Sequence, residues 1–114
     1  MGAGVQSRAV TVVVPALNEA ENIRPLVAEI LAALGHDPEL EILYVDDGSD
    51  DASPAIFAEL ARELAPRFKC VRHRSRCGQS TGVWTGVRHA SNPWIATLDA
   101  DGQHVQGIGQ RALD

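Results

Sequence analysis

The sequence predicts an α/β protein in which a mostly parallel sheet is covered by helices on both faces, a three-layer α/β/α sandwich. Two observations support this prediction. Four short runs of strand character alternate along the chain with three segments of helical spacing, in the order β-α-β-α-β-α-β. The segments between successive strands are also long enough for the right-handed crossovers that parallel strands require.

The first strand and the first helix follow from the apolar pattern. Ala9–Val14 (AVTVVV) shows no polar alternation, which favours a strand buried on both faces. Glu19–Leu34 has apolar residues three and four positions apart and predicts a helix. Asn18 and Glu21 predict a capping box at its start, and Pro25 predicts a kink or a separate first turn.

The second strand is predicted at Leu40–Val45 (LEILYV), and the DDGSDD segment after it is a turn. Ser53 is a typical N-cap and Pro54 fits the first helical position, so a second helix is expected from here to about Leu64. Phe68–His73 predicts a third and weaker strand.

The last predicted elements are a helix at Ser80–Ala90 and a strand at Trp94–Leu98 (WIATL). The domain is therefore expected to cover residues 9–104. Residues 1–8 are expected to form an N-terminal tail, and residues 105–114 an atypical C-terminal tail with no predicted element.

The overall composition limits the classes of function. A net charge of −5 argues against a nucleic-acid partner, which needs basic side chains to neutralise its phosphates. No apolar run approaches the roughly 18 residues that span a bilayer. The start MGAGVQSRAV lacks the pattern of a secretory signal, so a cytoplasmic location is expected.

The two cysteines indicate neither a disulfide framework nor a zinc site. Cys70 and Cys77 do not form a C-x-x-C motif. With His73 they would supply three of the four ligands that a structural zinc site needs. Cys70 is therefore interpreted as a small buried apolar residue.

Four polar motifs follow the four predicted strands. In chain order they are PALNE, DDGSDD, RSRCGQS and DADGQH. The carboxyl ends of parallel strands meet at one edge of the sheet, which is where open α/β sheets bind their ligands. The sequence therefore predicts a ligand site at this edge.

The last motif suits a divalent cation. Asp99 and Asp101 lie two residues apart at a strand end, and with the amide oxygen of Gln103 they form an oxygen-only donor set suited to Mg²⁺ or Mn²⁺. A calcium loop would need Gly and Glu where His104 and Gln110 stand. A phosphatase would need its Asp-x-Asp on an early strand, and a solvated turn remains the alternative.

The acids after the second strand have two expected roles. Asp46 and Asp47 are placed to accept hydrogen bonds from a nucleobase N–H or from ribose hydroxyls. Asp50 and Asp51 are expected to be turn and helix-start residues. Acids that converge on one crevice repel each other unless cations or hydrogen-bond donors compensate.

Together, VPALNEAENI, VDDGSDD, CGQS and LDADGQH closely resemble the amino-terminal half of family-2 glycosyltransferases with the Rossmann-like GT-A fold. The subgroup they resemble most makes polyprenyl-phosphate sugars. The resemblance covers residues 9–104, and four motifs in order are a specific signal.

The resemblance assigns residues to the donor site and to the metal. It implies that the nucleotide is bound by Pro15, Leu17, Glu19, Asp46, Asp47, Gly78, Asp99 and Asp101. It implies that Mg²⁺ or Mn²⁺ is bound by Asp99, Asp101 and Gln103. Two positions depart from the family pattern: Arg76 replaces a common asparagine, and Trp84, interpreted as a packing residue, replaces a polar side chain.

The reaction implied is inverting transfer of a hexose from a UDP- or GDP-sugar to an acceptor, with a polyprenyl phosphate at the cytoplasmic membrane face as the expected acceptor. The catalytic base is expected outside these residues, so this chain alone is expected to bind nucleoside diphosphate weakly and to transfer no sugar. An open sheet edge is expected to favour a homo-oligomer. A non-catalytic nucleotide-binding module is the alternative.

Overall fold

A computed structural model describes residues 9–101 and the backbone of residues 105–110. Three helices and five strands lie in these ranges. In chain order they are β1 (Val10–Ala16), α1 (Ala20–Leu34), β2 (Glu41–Asp46), α2 (Ser53–Leu64), β3 (Phe68–Arg72), α3 (Gln79–His89), β4 (Trp94–Leu98) and β5 (Val105–Gln110). The predicted elements are all present, with ends shifted by a residue or two, and β5 is an additional strand.

The strands form one sheet in the order β3-β2-β1-β4-β5. The first four strands are parallel, and β5 pairs antiparallel with β4. The chain runs outward from β1 to β3 and then crosses back to place β4 on the other side of β1. The predicted α/β fold with a mostly parallel sheet is confirmed, and the crossing creates a switch point between β1 and β4.

Strands β1 and β2 are buried on both faces, which explains their apolar runs. Val12 and Val14 of β1 belong to the apolar core shared with α1 and α2, whereas Val13 belongs to a second core. The second core lies under α3, since Val13 approaches Gly86 of that helix. The three layers are therefore α1 with α2, the sheet, and α3.

Helix α3 approaches β1 closely because its inward face consists of small residues. A Cβ on Gly86 would overlap the Val13 side chain, and a Cβ on Gly82 would lie 3.0 Å from Cβ of Pro15. Thr85 lies between these glycines and is 8% exposed. This packing brings the start of α3 against the carboxyl end of β1.

Two predicted helix caps are wrong. No side-chain cap forms at the start of α1, where Glu19 is the N-cap residue, and Asn18 instead adopts a positive φ of 53°. Ser53 is the first residue of α2 and Ala52 is its N-cap. The Asn18 side chain accepts from the Asp50 N–H in the loop after β2, and at the start of α2 the Ser53 N–H donates to Asp51. Helix α1 also runs without interruption through Pro25.

Strand β5 covers the outer edge of β4 with a register shift near Leu98. Its sequence, VQGIGQ, contains two glycines, so local propensity does not favour a strand and the pairing with β4 is the stabilising contact. Residues 1–8, predicted as a tail, lie outside the described part of the chain. Among the described helices, none combines the length and hydropathy of a membrane span.

Candidate functional site

A cleft of about 450 Å³ opens at the carboxyl edge of the sheet, at the switch point. Its walls come from the ends of β1, β2 and β4 and from the start of α3. The described residues that line it are Pro15, Ala16, Leu17, Glu19, Asp47, Gly78, Gln79, Asp99, Ala100 and Asp101. Seven of the nine predicted site residues therefore lie together in one cleft, whereas Asp46 lines a separate cleft and Gln103 lies outside the described residues.

The cleft is strongly acidic. Glu19, Asp47, Asp99 and Asp101 contribute carboxyl groups, and none of the described lining residues is Lys or Arg. An anionic ligand such as a pyrophosphate would be repelled by this wall without a bridging cation. The hard carboxylate oxygens of Asp99 and Asp101 suit Mg²⁺ or Mn²⁺, so the residues present fit the predicted cation.

Asp47 is held in one orientation by three hydrogen bonds. Its Oδ1 accepts from Nδ1 of His73 at 2.8 Å and from the Cys77 backbone N–H at 2.7 Å, and its Oδ2 accepts from the Gly78 N–H at 3.0 Å. Burial alone would raise the pKa of this carboxyl, but the hydrogen bonds outweigh burial and lower the pKa below its usual value. Asp47 is therefore a fixed, ionised acceptor.

Asp46 directly precedes Asp47 in the chain, but its side chain points away from this cleft. It is 1% exposed, and its carboxylate accepts hydrogen bonds from the Ser49 N–H at 2.8 Å and from Arg72 at 3.1 Å. Arg72 also donates to the Ser49 carbonyl. Asp46 lines a separate, smaller cleft with Phe57 and Cys70. Its hydrogen bonds stabilise the turn that presents Asp47.

The loops after β1 and β2 are tied together. The Asn18 N–H donates to the Ser49 hydroxyl, and the Asn18 side chain accepts from the Asp50 N–H. Asp51 accepts from the Ala20 N–H at 3.2 Å and from the Ser53 N–H at 2.8 Å, so it serves the first turns of both helices. These bonds confirm the helix-start role predicted for Asp51, and they hold two walls of the cleft together.

The last motif lies on the opposite wall. Gln79 of α3 donates to Oδ1 of Asp99 at 3.1 Å, and Asp101 lines the same wall. Gln103, the third predicted metal ligand, lies outside the described residues, so the metal set Asp99, Asp101 and Gln103 stays a prediction. Gln79 is a site residue that the sequence did not predict, although it belongs to the CGQS motif and follows Gly78 directly.

A second group of potential metal ligands lies behind Asp47. Ligand atoms of Asp47, His73 and Cys77 all lie within 4.8 Å of one another. Cys70 is not part of this group; it is partly buried, and burial raises the pKa of its thiol to about 12, in line with the predicted apolar role. The sequence suggests His73 only as a possible metal ligand, and no local pattern predicts its contact with Asp47.

The two departures from the family pattern lie on the surface. Trp84 is 63% exposed, so its interpretation as a packing residue is wrong. It occupies the outer side of α3, opposite the glycines that contact β1. Arg76 lies beside Gly48, and its Nη2 lies 3.7 Å from Oδ2 of Asp50. Both of these charged side chains are exposed.

Sequence comparison identifies relatives over most of the chain. The family model described as glycosyl transferase family 2 matches residues 11–107. The undecaprenyl-phosphate 4-deoxy-4-formamido-L-arabinose transferase of Enterobacter sp. (strain 638) is 38% identical over 98 residues, and the enzyme of the same name from Sodalis glossinidius is 34% identical over 96 residues. Each alignment covers 83% of this chain but only 29% of the relative.

Solved structures show the same architecture. The mannosyltransferase PcManGT from Pyrobaculum calidifontis, in complex with GDP-Man and Mn²⁺, superposes with a TM-score of 0.74 at 30% identity, covering 82% of this chain and 27% of that protein. Staphylococcus aureus TarS in complex with UDP-GlcNAc superposes with a TM-score of 0.65 at 23% identity, covering 81% and 26%. The second likeness concerns the fold alone. With the family model matching residues 11–107, the chain belongs to glycosyltransferase family 2.

Proposed function

We propose that this chain forms the nucleotide-sugar half of a glycosyltransferase that moves a hexose from a UDP- or GDP-sugar to a polyprenyl phosphate. The observation that supports it most is the acidic cleft at the switch point, which combines four carboxyl groups with no described lysine or arginine. The names of the relatives support the acceptor, since they are undecaprenyl-phosphate sugar transferases. The chain spans about 29% of their length.

In this proposal, the nucleoside and the diphosphate of the donor lie against different walls of the cleft. The nucleoside would lie between the end of β1 and Asp47, with the base stacked along Pro15 and Leu17 and an N–H of the base donated to Asp47. Glu19 would accept from the ribose hydroxyls. The diphosphate would lie toward Asp99 and Asp101 on the opposite wall.

The acidic wall determines how the diphosphate is held. Asp99 and Asp101 would bind Mg²⁺ or Mn²⁺, which offsets the charge that builds up on the departing diphosphate. In the transfer, an oxygen of the acceptor forms a bond to the anomeric carbon while the bond from that carbon to the diphosphate breaks, and its electron pair leaves with the diphosphate oxygen. Gln79, bonded to Asp99, limits the rotation of that carboxylate.

The cation role is tested by calorimetric titration of UDP and GDP into the chain with and without Mn²⁺. We expect Mn²⁺ to strengthen nucleotide binding about tenfold or more in the wild type, and we expect this gain to disappear in Asp101→Asn, which keeps the shape but loses the charge. Glu29→Gln is the matched control, because Glu29 is exposed on α1 and does not line the cleft. An undiminished Mn²⁺ effect in Asp101→Asn would contradict the metal assignment.

The Asp47→Ala variant tests, in the same titration, the part of nucleotide binding that does not depend on the metal. Asp47→Ala removes the acceptor proposed for the base, so we expect weaker nucleotide binding both with and without Mn²⁺. If neither nucleotide binds to the wild-type chain at millimolar concentration, the proposed function is wrong for this chain.

A further inference from the structure

His73 does not line the cleft, yet it fixes a residue that does. Its Nδ1 lies 2.8 Å from Oδ1 of Asp47, and its Nε2 lies 2.8 Å from Oγ1 of Thr85. The His73 side chain is 11% exposed. The imidazole therefore links the end of β2 to the buried face of α3 through two hydrogen bonds.

The chemistry of the partners determines the direction of these bonds. An ionised carboxylate only accepts hydrogen bonds, so Nδ1 of His73 is the donor to Asp47. In the neutral ring, Nε2 then accepts from the Thr85 hydroxyl. Thr85 is 8% exposed and lies on a helix that packs closely against β1, so it is a firm anchor for the ring.

A bound metal is the competing explanation for Asp47, His73 and Cys77. Two ligand atoms on one tetrahedral zinc ion lie roughly 3.3 Å or more apart, given bond lengths of about 2.0 to 2.3 Å. Nδ1 of His73 and Oδ1 of Asp47 are 2.8 Å apart, which is a hydrogen-bond distance. Nε2 of His73 is already engaged by Thr85, so the geometry favours the hydrogen-bonded network.

The hydrogen bonds leave Asp47 with little spare capacity. A carboxylate has about four acceptor positions. Three of them are taken by His73, by the Cys77 N–H and by the Gly78 N–H, two on Oδ1 and one on Oδ2. One position, on Oδ2, is left for a ligand.

We propose that His73 is a positioning residue that orients Asp47 and leaves it one acceptor position, so that the site prefers uracil to guanine. The inference rests on the proposed nucleotide site. Uracil presents one N–H between two carbonyl oxygens, whereas guanine presents N1–H and an amino group side by side and needs two acceptors. A site that leaves a buried donor unpaired discriminates strongly against that ligand. The structural relatives differ on this point, since PcManGT is in complex with GDP-Man and TarS with UDP.

Two substitutions separate the two bonds of His73. In His73→Asn the amide nitrogen occupies the place of Nδ1 and keeps a donor to Asp47. In His73→Gln the amide occupies the place of Nε2 and keeps the contact with Thr85 but not the bond to Asp47. Thr85→Val removes the anchor while nearly preserving the shape of α3. The thermal midpoint of each variant reports the structural effect separately from nucleotide binding.

The measurement is the calorimetric affinity of each protein for UDP and for GDP in the presence of Mn²⁺. We expect the wild type to bind UDP about tenfold more tightly than GDP. His73→Asn should retain most of this ratio, whereas His73→Gln should reduce it toward one at a similar thermal midpoint. Thr85→Val should weaken UDP binding by a smaller factor than His73→Gln does.

The outcomes distinguish this inference from the proposed function. Equal binding of GDP and UDP by the wild type would overturn the inference and leave the proposed function standing. Equal UDP to GDP ratios in His73→Asn and His73→Gln would also overturn it. Stoichiometric Zn²⁺ binding that is lost in Cys77→Ser and that competes with UDP would show that the cluster is a metal site. Binding of neither nucleotide would instead contradict the proposed function.

Discussion

Neighbouring acids in the DDGSDD turn have opposite environments. Asp46 ends β2 with its side chain inside the protein, where it accepts from Ser49 and Arg72. Asp47 faces the opposite way and lines the cleft. Successive side chains of an extended segment point to opposite sides, so only one of two adjacent acids can face the ligand. Asp46 therefore supports the turn, and Asp47 is the residue we propose for the base.

Gly78 is required by its backbone conformation. Its φ is 91° and its ψ is 164°, a region that is essentially restricted to glycine. An added Cβ would meet no atom within 4 Å, so a substitution is disfavoured by backbone strain and not by crowding. The Gly78 N–H donates to Oδ2 of Asp47, which connects this conformation to the site.

We therefore predict that Gly78→Ala lowers the free energy of unfolding by about 1 to 3 kcal/mol and also weakens nucleotide binding. Gly48→Ala is the control for backbone strain, because Gly48 has the same φ of 91° but is not among the described residues that line the cleft. Urea denaturation and calorimetry together measure the two effects. Equal losses of nucleotide affinity in both variants would contradict the specific role of Gly78.

Much of the site could be predicted at this scale because its residues follow strand ends. Pro15, Asp47 and Asp99 are each found at the predicted edge. Strand alternation requires Asp46 and Asp47 to face opposite ways, but which of the two faces the cleft depends on tertiary packing, such as the contact of Asp46 with Arg72, 26 residues away in the chain. The bond between His73 and Asp47 is also a tertiary contact with no local pattern.

Among the elements, α3 supplies part of the cleft wall, through Gly78 at its N-cap and Gln79 in its first turn. Its sequence QSTGVWTGVRH has a weak apolar pattern, and its inward face is built from Gly82, Thr85 and Gly86. Small residues allow the helix to approach β1, and this approach places Gln79 beside Asp99. A larger side chain on this face would push the helix away from the strand.

We predict that Gly86→Ala destabilises the protein by about 1 to 3 kcal/mol, because the new Cβ would overlap the Val13 side chain at the centre of the sheet. The higher helix propensity of alanine would offset about 1 kcal/mol of this cost at most. Thr81→Ala is the control on the exposed side of the same helix and should change stability by no more than about 0.5 kcal/mol. If Gly86→Ala unfolds at a higher urea concentration than the wild type, the close packing of α3 against β1 does not require glycine at this position.

Strands were predictable where both of their faces are buried, and helices were predictable where apolar residues recur every three or four positions over a long segment. Strands β1 and β2 are buried on both faces, so their apolar runs are unbroken. Strand β5 was not predicted, because its pairing with β4 is a long-range contact and its two glycines disfavour a strand locally. The helix caps were also mispredicted, since Asn18 bonds to a loop 31 or 32 residues away instead of to its own helix.

At the scale of the whole molecule, the two edges of the sheet have different roles. The carboxyl edge presents the acids of the cleft. The amino edge is closed around Glu41, which is 6% exposed and accepts hydrogen bonds from Thr11 at 2.7 Å and from the N–H and hydroxyl of Ser91 at 2.8 and 2.9 Å. Lys69 pairs with the same carboxylate at 2.7 Å. One side chain thus joins β1, β2, β3 and the turn before β4.

This network predicts a specific pH dependence of stability. Burial would raise the pKa of Glu41, but the bonds from Lys69, Ser91 and Thr11 outweigh it and lower the pKa below the usual value of 4.5. A group whose pKa is lower in the folded state contributes its full stabilisation above the unfolded value and loses it as the pH falls through the folded value. The contribution of Glu41 should therefore be complete at neutral pH and decline only below about 4.5.

We predict that Glu41→Gln lowers the free energy of unfolding by about 1 to 3 kcal/mol at pH 7, because it removes the charge and leaves buried donors poorly paired. The difference from the wild type should shrink as the pH is lowered below 4.5, since protonation of Glu41 then removes the same charge. Glu39→Gln, two residues earlier with an exposed side chain, should have little effect at either pH. Urea denaturation at pH 7 and at pH 3.5 measures all three proteins. A difference between Glu41→Gln and the wild type that stays constant with pH would show that the negative charge of Glu41 does not contribute to stability, and that the side chain acts through the geometry of its hydrogen bonds to Thr11 and Ser91 instead.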